Sequence, residues 1–117
     1  DERLINVLER LEQDGYILCC ATNSVRHSAT IQLTRRGFID HLEFVFTNQD
    51  VVNPKPNTEI YLRCMIKAGV SPKETIILED SELGRKGARE TGSSVLEIRD
   101  SADVTYVKIR KFIENVK

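Results

Sequence analysis

The chain has 117 residues, 40% of them hydrophobic, 30% charged and 6% aromatic, the composition of one ordinary globular domain around a single core. Seventeen Lys and Arg against 18 Asp and Glu leave a formal net charge of -1, which gives no electrostatic footprint for nucleic acid or for an anionic membrane surface. The longest apolar stretch, Tyr16 to Ala21, falls far short of the roughly 20 residues that span a bilayer. The charged opening Asp1-Glu2-Arg3 has no signal-peptide pattern, so a cytoplasmic protein is expected, with neither membrane nor nucleic acid among its partners. Cys19, Cys20 and Cys64 cannot all pair with one another, and buried free thiols are the expectation.

In chain order, Leu4, Leu8 and Leu11 stand at helical spacing with Ile5 beside them and Gly15 following, which predicts an amphipathic helix over residues 2–14. Tyr16-Ile17-Leu18-Cys19-Cys20-Ala21 is apolar at every position, the pattern of a strand covered on both faces of a parallel sheet. Ser24 is placed to cap a second helix with Val25, Ala29 and Leu33 on one side and Arg35-Arg36-Gly37 at its end. Phe44-Val45-Phe46 is a short strand. Pro54 and Pro56 then forbid regular structure, so a loop of about ten residues follows Thr47. Asn57 or Thr58 caps a helix whose inner face is Ile60, Tyr61, Cys64 and Ala68, closed by Gly69. Ser71-Pro72-Lys73-Glu74 fits a capping box leading into the strand Thr75 to Leu78. Glu79-Asp80-Ser81 opens a helix bearing Leu83, Gly84, Gly87 and Ala88. Ser94 to Ile98 is a fourth strand, and Val104 to Lys117 a last helix with Thr105, Ile109, Phe112, Ile113 and Val116 facing inward. Strands alternating with helices imply right-handed crossovers, and hence an α/β three-layer sandwich with a mostly parallel, Rossmann-like sheet.

Ligands of open α/β sheets bind beyond the carboxyl ends of the strands, and the polar residues of this chain gather there. Thr22, Asn23 and Ser24 follow the first strand at the start of a helix, where a hydroxyl, an amide and free N–H groups suit a phosphate; Ser24 alone would serve equally as a simple cap. Glu79 and Asp80 lie side by side where the third strand ends, and two neighbouring acids at a sheet edge suit a hard divalent cation such as Mg2+. A solvated Glu79 beside a capping Asp80 or Ser81 is the plainer alternative. Lys55 stands between Pro54 and Pro56, which stiffen the backbone and restrict where its ammonium can point. His27 and His41 have no partners at metal-ligand spacing and fit surface or helix-end positions.

Taken together, the runs Tyr16 to Ser24, Asn53-Pro54-Lys55-Pro56-Asn57 and Ile76 to Gly84 resemble the second, third and fourth motifs of the haloacid dehalogenase-like hydrolases, in particular their phosphoglycolate phosphatase and beta-phosphoglucomutase branch. The resemblance runs from about Leu4 to Arg99. It implies that Thr22 binds the transferring phosphoryl group with help from the Asn23 backbone and Ser24, that Lys55 balances charge around that group, and that Asp80, with Glu79, holds Mg2+. It also implies a phosphatase or phosphotransferase acting on a small phosphorylated metabolite, with mutase chemistry left open.

The first motif of that family, Asp-x-Asp at the end of an N-terminal strand, has no counterpart. The acids ahead of Thr22 are Asp1, Glu2, Glu9, Glu12 and Asp14, all on or beside the first helix. Three readings follow. Residues 1–117 form the C-terminal part of a core domain whose nucleophile strand and cap lie elsewhere, which the absent initial Met favours; or the chain is a catalytically inactive member that binds a phosphate compound or a protein partner; or it is an unrelated α/β domain resembling receiver domains, against which stands the order of Lys55 before Glu79-Asp80. In the family the nucleophile strand runs between the strands equivalent to Tyr16–Ala21 and Thr75–Leu78. Its absence leaves two outcomes: the flanking strands close on each other, or they stay apart and a second polypeptide or another copy completes the sheet. The second is expected, because the site would otherwise be compressed by about one strand spacing, roughly 4.8 Å.

Overall fold

In the computed structural model, residues 2–117 are described; Asp1, part of the charged opening, lies outside them. Among the described residues five α-helices and four strands alternate: α1 (Glu2–Gln13), β1 (Cys19–Ala21), α2 (Arg26–Arg35), β2 (Phe44–Phe46), α3 (Glu59–Ala68), β3 (Ile76–Glu79), α4 (Glu82–Glu90), β4 (Ser94–Glu97) and α5 (Tyr106–Val116). Both strand pairings are parallel. Cys19 pairs with Phe44 and Ala21 with Phe46 in one; Ile76 pairs with Ser94 and Glu79 with Glu97 in the other.

Side-chain alternation along the strands builds two apolar layers. On one face Leu18, Ile76, Leu78 and Leu96 meet Val7 and Leu11 of α1 and Ile109 and Ile113 of α5. On the other, Ala21, Phe46, Ile77 and Val95 meet Ile60, Tyr61 and Met65 of α3 and Ala88 of α4. The helices therefore cover both faces, and the three-layer α/β arrangement expected from the sequence is the one observed.

The sheet is divided. β1 pairs with β2 and β3 with β4, but β1 and β3 exchange no hydrogen bonds. Between them lies a cleft of about 320 Å³ lined by Ile17, Leu18 and Cys19 on one side and Ile76, Leu78 and Glu79 on the other. The flanking strands thus stand apart, as expected, rather than closing on each other.

Several local expectations are corrected. The strand expected over Tyr16 to Ala21 is regular only from Cys19, and Ile17 is 51% exposed, because this side of β1 has no neighbouring strand to cover it. Cys19 is exposed and Cys20 half-buried, leaving Cys64 as the one thiol of the three that is buried. Ser24 does not cap α2. The N-cap is Val25, and the Arg26 N–H that a cap near this end would help satisfy instead donates to Gln49 Oε1 at 2.7 Å. Val25 and Val116, assigned to inner faces, are exposed. Other signals hold: Gly69 closes α3 in the left-handed region at φ 74°, the Ser71–Glu74 capping box forms, and Ser81 caps α4, whereas Thr58, at the N-cap of α3, makes no side-chain cap and Glu79 is buried rather than solvated.

Candidate active site

The carboxyl ends of β1, β2 and β3 open on the same edge, so the turns that follow them converge. The turn after β1 is fixed by its own polar groups: the Thr22 N–H donates to the Phe46 carbonyl at 2.9 Å, and Thr22 Oγ1 accepts from the Ser24 N–H at 3.1 Å. Asn23 reaches across to the proline-flanked loop, where its Oδ1 accepts the backbone N–H of Lys55 at 3.1 Å. That loop is anchored from its other end by Glu59, which accepts the N–H groups of Val52 and Asn53 at 3.0 and 2.9 Å. The Arg63 guanidinium and those two N–H groups hold the Glu59 carboxyl down to about 2. The Lys55-Pro56 peptide is cis.

With its backbone so placed, Lys55 extends its ammonium to Glu79 Oε2 at 2.9 Å, and both side chains are largely buried. The same oxygen accepts the Tyr61 hydroxyl at 2.8 Å. Burial works to raise the pKa of Glu79, but the Lys55 ammonium and the Tyr61 hydroxyl outweigh it and hold the carboxyl below the ordinary range. Burial and the Glu79 charge together push the Tyr61 phenol well upward, in keeping with its hydroxyl as a hydrogen-bond donor to Glu79. Asp80, one residue beyond the strand, is exposed.

Two glycines of α4 make this approach sterically feasible. A Cβ on Gly84 would stand 2.3 Å from the Glu79 side chain, and one on Gly87 would stand 2.4 Å from the Pro56 carbonyl oxygen. The helix therefore gives up the propensity of two ordinary residues, about 1 kcal/mol each, to admit the acid and the lysine loop.

The structure thus links Asn23, Lys55 and Glu79 in one chain of contacts, with Thr22 and Ser24 in the adjoining turn and Asp80 beside Glu79. His41 lies elsewhere, against Glu12 at 2.7 Å. Tyr61 has no site role legible in the sequence, where it reads as one more inner-face position of α3; the available signal is that a buried phenol needs a hydrogen-bond partner. Glu59 was missed as well, since its role depends on where the preceding loop folds back.

Among the described residues no group of three or more His, Cys, Asp or Glu gathers as a metal-binding cluster. The donor chemistry nevertheless fits Mg2+ in kind: Asp80 is open to solvent, and Glu79 Oε1 lies 3.4 Å from the Ser81 hydroxyl that donates to it, away from the Lys55 contact on Oε2. Mg2+ is commonly held by one or two carboxylates, with water and substrate oxygens completing its six positions.

The protein is thus a parallel α/β fold covered on both faces, with a hydroxyl turn, a loop lysine and paired acids at successive strand ends. Residues 2–98 match the model of the haloacid dehalogenase-like hydrolases, and the chain belongs to that family. It is 33% identical over 91 residues to an uncharacterized protein in the fgs 3' region of Lacticaseibacillus casei, covering 78% of this chain and 41% of that protein. It is 28% identical over 85 residues to the phosphorylated carbohydrates phosphatase of Thermotoga maritima, covering 73% and 39%. The crystal structure of a phosphatase of this family from Thermococcus onnurineus superposes with a TM-score of 0.84 at 27% identity, covering 95% of this chain and 56% of that one. The chain thus spans less than half the length of these two sequence relatives. Among the described residues no helix is long and apolar enough to cross a membrane.

Proposed function

We propose that this chain supplies the phosphate- and metal-holding half of a Mg2+-dependent phosphatase or phosphotransferase acting on a small phosphorylated metabolite. The observation that carries the reading is the continuous linkage from Asn23 through Lys55 to Glu79 at the carboxyl edge of the sheet, beside an open cleft between β1 and β3. Thr22 and Lys55 are the groups assigned to the reacting phosphoryl: the hydroxyl and the Asn23 and Ser24 backbone bind its oxygens, and the ammonium offsets their charge. Glu79, whose carboxylate receives the ammonium at 2.9 Å, aims the lysine. Asp80 with Glu79 would hold Mg2+, which when bound supplies charge neutralisation for phosphoryl transfer.

Covalent phosphoryl transfer further needs a nucleophile in line with phosphorus. The proposed source is a further parallel strand seated in the cleft, with an acid at its carboxyl end, contributed by another part of the polypeptide, a second polypeptide or another copy. Two unpaired strand edges facing each other across an apolar space support this, since unmet backbone N–H and C=O groups are costly when buried. The chain alone is then a binder without turnover. The metabolite class follows from the phosphatases among the relatives, and the cytoplasm is the proposed compartment.

Titrating the chain with Mg2+ and inorganic phosphate while recording backbone amide spectra tests the assignment. Signals of Thr22 to Ser24, Lys55 and Asp80 should move together, and Asp80→Asn should abolish the Mg2+ response. A response unchanged by that substitution refutes the site.

A further inference from the structure

Tyr61 stands on the inner face of α3, 4% exposed, where packing alone would be met by a phenyl ring. Its hydroxyl has a more particular setting. It donates to Glu79 Oε2 at 2.8 Å and stands 3.0 Å from the Gly84 carbonyl, two acceptors for one proton, of which the charged carboxylate is the stronger. The Lys55 ammonium donates to the same Oε2 at 2.9 Å and lies 5.2 Å from the centre of the Tyr61 ring, within the range of a cation–π contact. Lys55, Glu79 and Tyr61 therefore touch one another pairwise.

We infer that Tyr61 is a positioning residue, which fixes the Glu79 carboxylate so that Oε2 is committed to Lys55 and Oε1 is left to face Mg2+. The inference rests on the metal-holding role proposed for Glu79 and Asp80, and it adds a residue that touches neither metal nor phosphate. A carboxylate turns easily, because its last torsion is broad and roughly two-fold. A lysine ammonium is a compact point charge with rotatable donors, which one oxygen or both can satisfy. Lys55 alone would thus leave the two oxygens of Glu79 interchangeable, and the Tyr61 hydroxyl breaks that equivalence.

The two oxygens differ accordingly. Oε2 receives two short contacts, from Lys55 and Tyr61, whereas the Ser81 hydroxyl stands off from Oε1 at 3.4 Å. The lack of a side chain at Gly84 keeps Oε1 uncovered, since a Cβ there would stand 2.5 Å from it. The same arrangement serves the lysine. Held on one oxygen and beside the ring, its ammonium uses one of three protons on Glu79 and keeps the others for phosphate oxygens.

Tyr61→Phe keeps the ring and removes the hydroxyl. The test titrates Mg2+ alone into the 117-residue chain and reads the dissociation constant from the Asp80 and Ser81 amide signals. Removing a partner that orients a metal-ligating group typically weakens binding about 10–100-fold. A rise of about tenfold is expected here, at the lower end because Lys55 still holds Oε2. Ile109→Val, a core change in the layer under α5, should leave the constant unchanged, which separates lost positioning from lost stability. In the unaltered chain the Tyr61 ring signals should move with the same Mg2+ midpoint as the Asp80 amide, a reading that needs no variant. An unchanged constant in Tyr61→Phe, an equal weakening in Ile109→Val, or Tyr61 signals that stay still while Asp80 moves would each overturn the inference and leave the metal-holding reading standing. An unaltered chain that shows no Mg2+ response would overturn both.

Discussion

Replacing Lys55 by Met removes the ammonium while keeping most of the apolar stem, and leaves Glu79 as a buried carboxylate facing a methyl group. The side chains of Lys55 and Glu79 are 12% and 9% exposed, so this is the loss of one member of a buried pair, for which about 3–5 kcal/mol is typical. The Tyr61 hydroxyl stays on Glu79 Oε2, which places the expectation at the lower end, about 3 kcal/mol at pH 7. For a domain of this size that is a fall of about 12 °C in Tm. The loss should depend on pH with a definite sign. In the native protein the folded pKa of Glu79 lies below the ordinary 4.5, so the pair's stabilisation is complete above that value and fades as pH falls through the folded pKa. In Lys55→Met the buried, unpaired carboxyl should have a raised pKa, so its penalty grows as pH rises above the ordinary value. Both effects widen the gap between the proteins from acid towards neutral pH. Urea unfolding followed by circular dichroism at pH 4 to 7 measures it, and Lys55→Met combined with Glu79→Gln should recover most of the loss. A gap below about 1 kcal/mol at pH 7, the value of a solvated surface pair, or one that does not change with pH, would refute the burial argument.

Gly87→Ala should destabilise the fold by about 1–3 kcal/mol, the range for overpacking, because the new Cβ meets the Pro56 carbonyl; helix propensity alone predicts a gain of about 1 kcal/mol, so the sign of the change in urea midpoint decides. Gly84→Ala should act on the site more than on the fold: its Cβ would push the Glu79 carboxyl away from Lys55, weakening the joint Mg2+ and phosphate response in amide spectra, and an undiminished response would contradict the close approach.

The parts of this structure that were legible in the sequence are those decided locally. The helical spacing of Leu4, Leu8 and Leu11 marks α1, with Leu4 and Leu11 buried and Val7 rather than Leu8 between them, Ser71 with Glu74 closes its own turn, and Ser81 caps α4 from three residues away. The placement of Lys55, Glu79 and Asp80 at or beyond strand ends was legible because the strand ends of a parallel sheet are where polar residues have reason to gather. What was misread depended on distant groups. Ser24 looks like a cap until Gln49, from the turn after β2, takes the Arg26 N–H. Cys19 and Ile17 look buried because a continuous apolar run implies neighbours on both sides, and β1 has one only on the side of β2. Tyr61 shows the same limit from the other direction. Its position on α3 was legible, but its role depends on Glu79, 18 residues further along.

The central claim is that this domain holds phosphate and Mg2+ for a nucleophile that must enter between β1 and β3. It is tested most directly by measuring Mg2+-dependent release of phosphate from small sugar phosphates by the 117-residue chain, and by the same chain joined to the reading frame upstream of Asp1. The account predicts no turnover from the chain alone, turnover when an upstream strand ending in Asp-x-Asp is present, and loss of that turnover in Lys55→Ala and in Asp80→Asn. Robust Mg2+-dependent turnover by the 117-residue chain, or activity of the longer form that survives Lys55→Ala, would contradict it.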